Sequence, residues 1–310
     1  MNYTHKKGAF TSADKIHQIS YEIIIPDSKV RGIIQISHGM CEYFGRYLDF
    51  AKFLADNGYI VCGNDHLGHG NSVNSDDELG YFSIENGWQN AVKDLYTLTK
   101  IMKKEYGNLP YFLFGHSMGS FLARAYSVIY GEHLDGVVFC GTSGGVLGID
   151  NLIGVIKTLK KVHGDTHRSD KIYKLAFENY TRKIKDKTSE HDWITRDKDI
   201  VKKYDSNEKC NFNFTLNGYE NLMGVLQYVS STKWYSSYIK TLPTLIISGD
   251  NDPVGDYGKG PFKVFNNLSK KSCDVRLKLY SGARHELINE INNKEIYSDL
   301  LEFFQFNTRD

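Results

Sequence analysis

Five residues, Gly115-His116-Ser117-Met118-Gly119, constrain this 310-residue chain more than any other stretch. A short apolar run, Tyr111-Phe112-Leu113-Phe114, precedes them, and a helix-compatible run, Ser120 to Tyr126, follows. Set between a strand and a helix, G-x-S-x-G is a nucleophile elbow. The turn is so tight that the residues flanking the serine must be small. It lifts the serine hydroxyl clear of the sheet, to the N-terminus of a helix, where negative charge is favoured.

A serine in such a turn needs a histidine and an acid, expected downstream in the order serine, acid, histidine. Thr244 to Ser248 reads as a buried strand, followed directly by Gly249-Asp250-Asn251-Asp252-Pro253-Val254. Val275 to Tyr280 alternates like a strand, followed by Ser281-Gly282-Ala283-Arg284-His285-Glu286. Both loops lie just past strand ends, where open α/β sheets place their sites. His285 is the candidate base by position and order. His116, inside the elbow, should point away from the serine hydroxyl, and His66 and His69 should satisfy local hydrogen bonds in a Gly-rich loop. Asp252 is preferred as the acid over Asp250, whose alternative use is to cap the turn. The oxyanion hole needs two backbone N–H groups. One belongs to Met118, directly after the nucleophile. The other is expected after an early central strand. Gly32 to Ser37 reads as that strand and His38-Gly39-Met40 as the loop, with the Met40 N–H as the donor.

Four stretches then carry a family resemblance. They are His38 to Tyr47 (HGMCEYFGRY), Asp65 to Ser72 (DHLGHGNS), Gly115 to Gly119, and Gly249 to Gly255 together with Gly282 to Glu290. The chain resembles the α/β-hydrolase group that holds monoacylglycerol lipases, bacterial lysophospholipases and the S33-type serine aminopeptidase domain. It departs from that pattern at Tyr43, where the group usually has His, and at Cys41 and Ser120. The resemblance implies an α/β-hydrolase fold: a mostly parallel central sheet flanked by helices, with an inserted helical cap. It implies Ser117, Asp252 and His285 as the triad and the Met40 and Met118 N–H groups as the oxyanion hole.

The rest of the chain is consistent with one α/β core. Residues 15–25 and 30–37 read as paired opening strands. Residues 59–64, 111–114 and 137–140 read as short buried strands with helical stretches between them, and Asn292 to Phe304 as a closing helix. This alternation predicts a mostly parallel sheet with helices on both faces. Residues 145–235 break the pattern, so the core is expected at 1–144 and 236–310 and a helical cap at 145–235. Ile149, Leu152, Ile153, Ile156 and Leu159 recur at helical spacing. Leu222, Met223, Val225, Leu226 and Tyr228 form a second apolar cluster. Phe214 to Tyr219 resembles a cap segment that borders the pocket in related bacterial enzymes.

Lys plus Arg number 38 against 37 Asp plus Glu, which gives no support to a nucleic-acid partner. Between Lys157 and Lys187, however, ten basic residues face four acidic ones, so transient contact with a membrane surface is considered. No signal peptide or membrane span is read, and five scattered cysteines predict reduced thiols in the cytoplasm. A monomer and a homodimer fit equally.

The expected function is a serine hydrolase that cleaves carboxylic esters through an acyl-enzyme, of lysophospholipase or monoacylglycerol-lipase type. The expected substrate is a small-molecule ester or lipid, with neither cofactor nor metal. An S33-type aminopeptidase is the alternative. It needs an acidic anchor for a free amine near the cap, for which Glu178, Glu208 and Glu220 are the available residues. A non-catalytic ligand-binding protein on the same fold is the third reading.

Overall fold

A computed structural model describes residues 3–308. Eight strands form one sheet in the order β1-β2-β4-β3-β5-β6-β7-β8. They are β1 (Tyr3–Thr11), β2 (Gln18–Pro26), β3 (Gly32–Ser37), β4 (Tyr59–Asn64), β5 (Tyr111–His116), β6 (Gly136–Cys140), β7 (Thr244–Gly249) and β8 (Val275–Tyr280). From β4 to β8 across the sheet every pairing is parallel, whereas β1 and β2 join it antiparallel. Strands β3 to β7 are buried along their whole length. That matches their near-continuous apolar runs, as expected of a parallel sheet covered on both faces.

The alternation of strand side chains divides the core into two layers. Ile34, Phe112, Phe114, Val138 and Ile247 face helices α1 (Leu48–Asp56) and α10 (Asn293–Asn307), meeting Phe50, Leu54, Leu300 and Phe304. Ile33, Leu113, Val137 and Ile246 face helices α2 (Gly87–Tyr106), α3 (Met118–Ile129) and α9 (Lys259–Ser269), meeting Leu95, Leu122 and Val264.

The opening strands are corrected in one respect. Residues 18–26 and 32–37 are strands, but they do not pair with each other: β4 lies between them and bonds to both. The partner of β2 on its other side is β1, a strand not read from the sequence. Its charged, mostly exposed residues, Lys6 and Lys7 among them, suit an edge strand and hide it from hydropathy.

Between β6 and β7 the chain forms five helices and no strand: α4 (Ile149–His163), α5 (Asp170–Phe177), α6 (Lys198–Asp205), α7 (Leu216–Val229) and α8 (Thr232–Ser237). Side-chain caps begin several of them. Asp197 accepts from the Asp199 and Ile200 N–H groups, Thr215 from Gly218 N–H and Ser231 from Trp234 N–H. Ile153 and Ile156 of α4 are buried, as are Leu222, Val225 and Leu226 of α7. Arg124 of α3, fully buried, fastens this region to the core. Its guanidinium donates to the carbonyls of Ser143 (2.8 Å) and Val229 (2.6 Å). No helix among the described residues is long and apolar enough to cross a membrane.

Candidate active site

Strand β3 has β4 on one side and β5 on the other, so the direction of chain progression reverses there. The crevice beyond the C-terminal ends at such a switch point is where open α/β sheets bind ligands. Here the loop after β3 carries Met40, and the turn after β5 carries Ser117.

Ser117 sits at φ 53° and ψ −121°, a conformation that L-residues rarely adopt. The two glycines of the motif make this turn possible. A Cβ on Gly119 would run into the carbonyl oxygens of Ser37 and His38, and one on Gly115 into the Gly119 backbone and the Ala123 methyl. Ser117 N–H donates to Cys140 O at 2.9 Å, which continues the ladder onto β6. The Ser120 hydroxyl donates to Ser117 O at 2.6 Å and holds the turn from the helix side. The Met118 N–H, in the first turn of α3, and the Met40 N–H make no hydrogen bond among the described residues. Both residues line the same cavity as Ser117.

His285 Nδ1–H donates to Asp252 Oδ2 at 2.9 Å, with Asp252 0 % and His285 2 % exposed. Val254 N–H donates to the other Asp252 oxygen at 2.9 Å. Asp250 lies elsewhere: its carboxylate accepts from Gly282 N–H at 2.7 Å and ties the loop after β7 to the loop after β8. Ser117 and His285 line one cavity, with a volume of about 140 Å³.

The other histidines near the site are engaged locally. His38 Nδ1–H donates to Gly39 O, and His38 Nε2 accepts from His66 N–H at 2.9 Å. His66 Nε2 meets Ser37 Oγ at 3.0 Å, and His69 Nδ1–H donates to Leu67 O at 2.9 Å. Burial pushes all three imidazoles down, His69 to about 3, so they are neutral. His69 Nε2 is left without a partner. Asp65 accepts from the N–H groups of Phe44 and Asn71, so the Asp65–Ser72 stretch braces the loops under the site.

Sequence reasoning missed a buried ionic network beneath the catalytic candidates. Glu42 Oε1 accepts from Gly39 N–H (2.5 Å), the Tyr47 hydroxyl (2.7 Å) and His116 Nδ1–H (2.9 Å). Arg46 donates to Glu42 Oε2 at 2.9 Å and grips both Glu286 oxygens at 2.6 Å each. Burial opposes ionisation of Glu42, but His116 and Arg46 outweigh it and hold its carboxyl well below the usual carboxylate range. Burial likewise pushes His116 down, and the Glu42 carboxylate reverses that to a net upward shift. The available signal was the i, i+4 spacing of Glu42 and Arg46 and the position of Glu286 directly after His285.

Phe121, Leu222, Met223 and Leu226 make an apolar wall of the cavity from α3 and α7. The rest of the lining includes Tyr173, Phe177, Tyr180, His191, Trp193 and Tyr204, from α5, α6 and the connection between them. No hydrophobic period marks those residues in the sequence. The expected pocket border at Phe214 to Tyr219 is corrected: that segment does not line the cavity. Thr215 and Asn217 bond to Gly80 O, Phe82 N–H and Ser83 O, which pins the segment to the core and leaves the next turn of α7 to face the cavity.

The profile of the Hydrolase_4 family, described as serine aminopeptidase, S33, matches residues 28–292. The chain belongs to this family. A monoacylglycerol lipase from Mycolicibacterium smegmatis is 28% identical over 284 residues, 91% of each chain. A monoglyceride lipase from Rattus norvegicus is 27% identical over 269 residues, 86% of this chain and 79% of that one. The crystal structure of a highly thermostable carboxyl esterase from Bacillus coagulans superposes with a TM-score of 0.93 at 30% identity, covering 99% of this chain and 100% of that one. The chain is an α/β hydrolase of the monoacylglycerol lipase group.

Proposed function

We propose that this hydrolase cleaves single-chain acyl esters, of the monoacylglycerol or lysophospholipid kind, through an acyl-enzyme on Ser117. The observation that carries the reading is the buried His285–Asp252 pair, 2.9 Å apart, on the same cavity as a serine held in a left-handed elbow. His285 takes the Ser117 proton as the hydroxyl attacks the ester carbonyl, and the Met40 and Met118 N–H groups receive the oxyanion. Asp252 fixes the imidazole tautomer and stabilises its charged form. His285 then protonates the departing alcohol. Water repeats the sequence and releases the acid. Residues 145–235 act as the cap, and its Leu222, Met223 and Leu226 take the acyl chain.

The aminopeptidase alternative lacks its acidic anchor. The cavity carboxylates, Glu42 and Glu286, are engaged by Arg46, His116 and Asn289. Glu178, Glu208 and Glu220 do not line it. On the outside of this region Leu175 is exposed beside Lys171 and Lys174 of α5. That face suits transient contact with an anionic lipid surface, at about 1 kcal/mol per basic residue. The deciding experiment is hydrolysis of p-nitrophenyl esters of increasing chain length, with fluorophosphonate labelling and Ser117→Ala as control. Labelling of Ser117 and a rate that peaks with a long chain are expected. An unlabelled serine would point to the ligand-binding reading.

A further inference from the structure

A second pocket, with a volume of about 330 Å³, lies outside the catalytic cavity. Asn251 and Arg284, the sequence neighbours of Asp252 and His285, line it. Tyr180 lines both spaces and is the one lining residue they share, so a ligand in one is held apart from a ligand in the other. Exposed Lys183, Lys185 and Asn251 leave the second pocket open to solvent.

Its chemistry differs from that of the cavity. Lys183, Lys185, Arg196 and Arg284 line it, and no Asp or Glu does. Like charges gathered in one concavity repel unless an anion joins them. Nearby carboxylates offset little of this charge. Glu290 accepts from Arg196 Nε at 2.8 Å, and from the Arg284 backbone N–H at 2.8 Å. Asp192 pairs with Lys198 at 2.8 Å, and Asp250 accepts from the Gly282 N–H. Among the described residues Lys183 and Lys185 make no ion pair. The Lys183 ammonium sits instead 3.2 Å from the centroid of the Tyr257 ring.

The guanidinium groups are already positioned. Arg284 Nη1 donates to the carbonyls of Asp192 at 2.6 Å and Thr195 at 2.9 Å. Arg196 adds a bond from Nη2 to Asn292 Oδ1 at 2.7 Å. Arg196 Nη1, the remaining Arg284 nitrogens and both ammonium groups keep donors for a ligand. A carboxylate brings one charge and two oxygens, too few for four cations of which Glu290 offsets one. A phosphate monoester brings close to two charges and three terminal oxygens, which suits guanidinium forks beside ammonium point charges.

We propose that this pocket binds a phosphate monoester group, distinct from the ester substrate. The bound phosphate joins residues 180–185 to the loops after β7 and β8: Tyr257 N–H donates to Asp252 O at 2.8 Å, and Asn251 N–H to Ala283 O at 3.0 Å. The proposal does not depend on what Ser117 cleaves.

The test titrates the full chain with inorganic phosphate and with phenyl phosphate by calorimetry, with chloride at the same ionic strength as control. A parallel arm measures binding to phosphatidylcholine vesicles with and without phosphatidic acid. Saturable binding is expected, with a rise in unfolding temperature that chloride does not reproduce. Lys183→Met with Lys185→Met should weaken it about a hundredfold, about tenfold for each charged hydrogen bond lost. Lys185→Glu leaves the Lys183–Tyr257 contact in place and serves if the double variant folds poorly. Binding of the soluble phosphates supports the proposal with a free phosphate as ligand. Binding confined to phosphatidic acid vesicles, and lost in the variants, supports it with a lipid headgroup as ligand. No saturable binding in either arm, an equal response to chloride, or binding undiminished in the variants overturns it, and none of these results bears on the esterase reading.

Discussion

Glu42 is the place where one substitution should cost most outside the proposed triad. Glu42→Gln keeps the shape and removes the charge. One oxygen would still accept from Gly39, Tyr47 and His116, but the new NH₂ would face the Arg46 guanidinium, a donor against a donor. Arg46 would be left with Glu286 alone, and His116 without its counter-charge. Removing one partner of a buried ion pair costs about 3–5 kcal/mol. Since Glu42 is 2 % exposed, solvent does little to soften that. The loss depends on pH in a definite direction. The folded pKa of His116 is raised from 6.5, so its contribution is fully present below 6.5 and fades as pH rises through the folded value. The folded pKa of Glu42 is lowered from 4.5, so its contribution is present above 4.5 and fades as pH falls toward the folded value. The stability gap between wild type and Glu42→Gln should therefore be widest between these limits. Urea denaturation followed by tryptophan fluorescence at pH 6 and pH 9 measures it. A gap below about 1 kcal/mol at pH 6, or one that grows toward pH 9, would refute an ionic Glu42–His116–Arg46 core.

Other outcomes follow from the same geometry. Ser117→Ala should lower ester hydrolysis about a millionfold, and a variant retaining a few per cent of the rate would remove Ser117 from its role. Asp252→Asn should lower kcat about 10⁴-fold by presenting the wrong imidazole tautomer, whereas Asp250→Asn should lower thermal stability with a far smaller kinetic effect. Equal kinetic losses in the two would mean that the acid is misassigned. Gly119→Ala should fail to give soluble protein, because its methyl would occupy the space of the Ser37 and His38 carbonyl oxygens; a folded, active variant would contradict the elbow packing. Binding to vesicles containing anionic lipid should exceed binding to neutral ones, and Lys171→Glu with Lys174→Glu should narrow the difference. Equal binding to both kinds of vesicle removes the membrane proposal.

What the sequence disclosed and what it hid divide along physical lines. The central strands were legible because burial on both faces forces continuous apolar runs, as in β4, while β8 at the sheet edge showed instead as alternation; both fall on the residues expected. The elbow glycines were legible because only a missing Cβ tolerates those carbonyl approaches. Strand β1 was not, because an edge strand with Lys6 and Lys7 carries no hydrophobic period. The pairing of β2 was misread for a related reason: adjacency in sequence suggests a hairpin with β3, while the sheet inserts β4 between them. His191 and Tyr173 were invisible, because a cavity wall assembled from an irregular connection and two short helices leaves no spacing to detect.

The ionic network explains how three loops can hold a geometry that catalysis needs fixed. Oxyanion donors act by being in place before charge develops, and loops are by default the mobile parts of a fold. Here Glu42 binds the Gly39 N–H in the loop that carries Met40, and the same carboxylate binds His116, next to Ser117. Arg46 carries the connection to Glu286, next to His285. One carboxylate and one guanidinium thus tie the loop that carries Met40, the turn that carries Ser117 and the loop that carries His285 into a single buried unit. The cavity walls from α5 to α7 take no part in that unit beyond the Ile194 carbonyl under Glu286 and the Tyr204 ring on Arg46. Those walls can therefore differ in what they bind without moving the loops that Glu42 and Arg46 hold together.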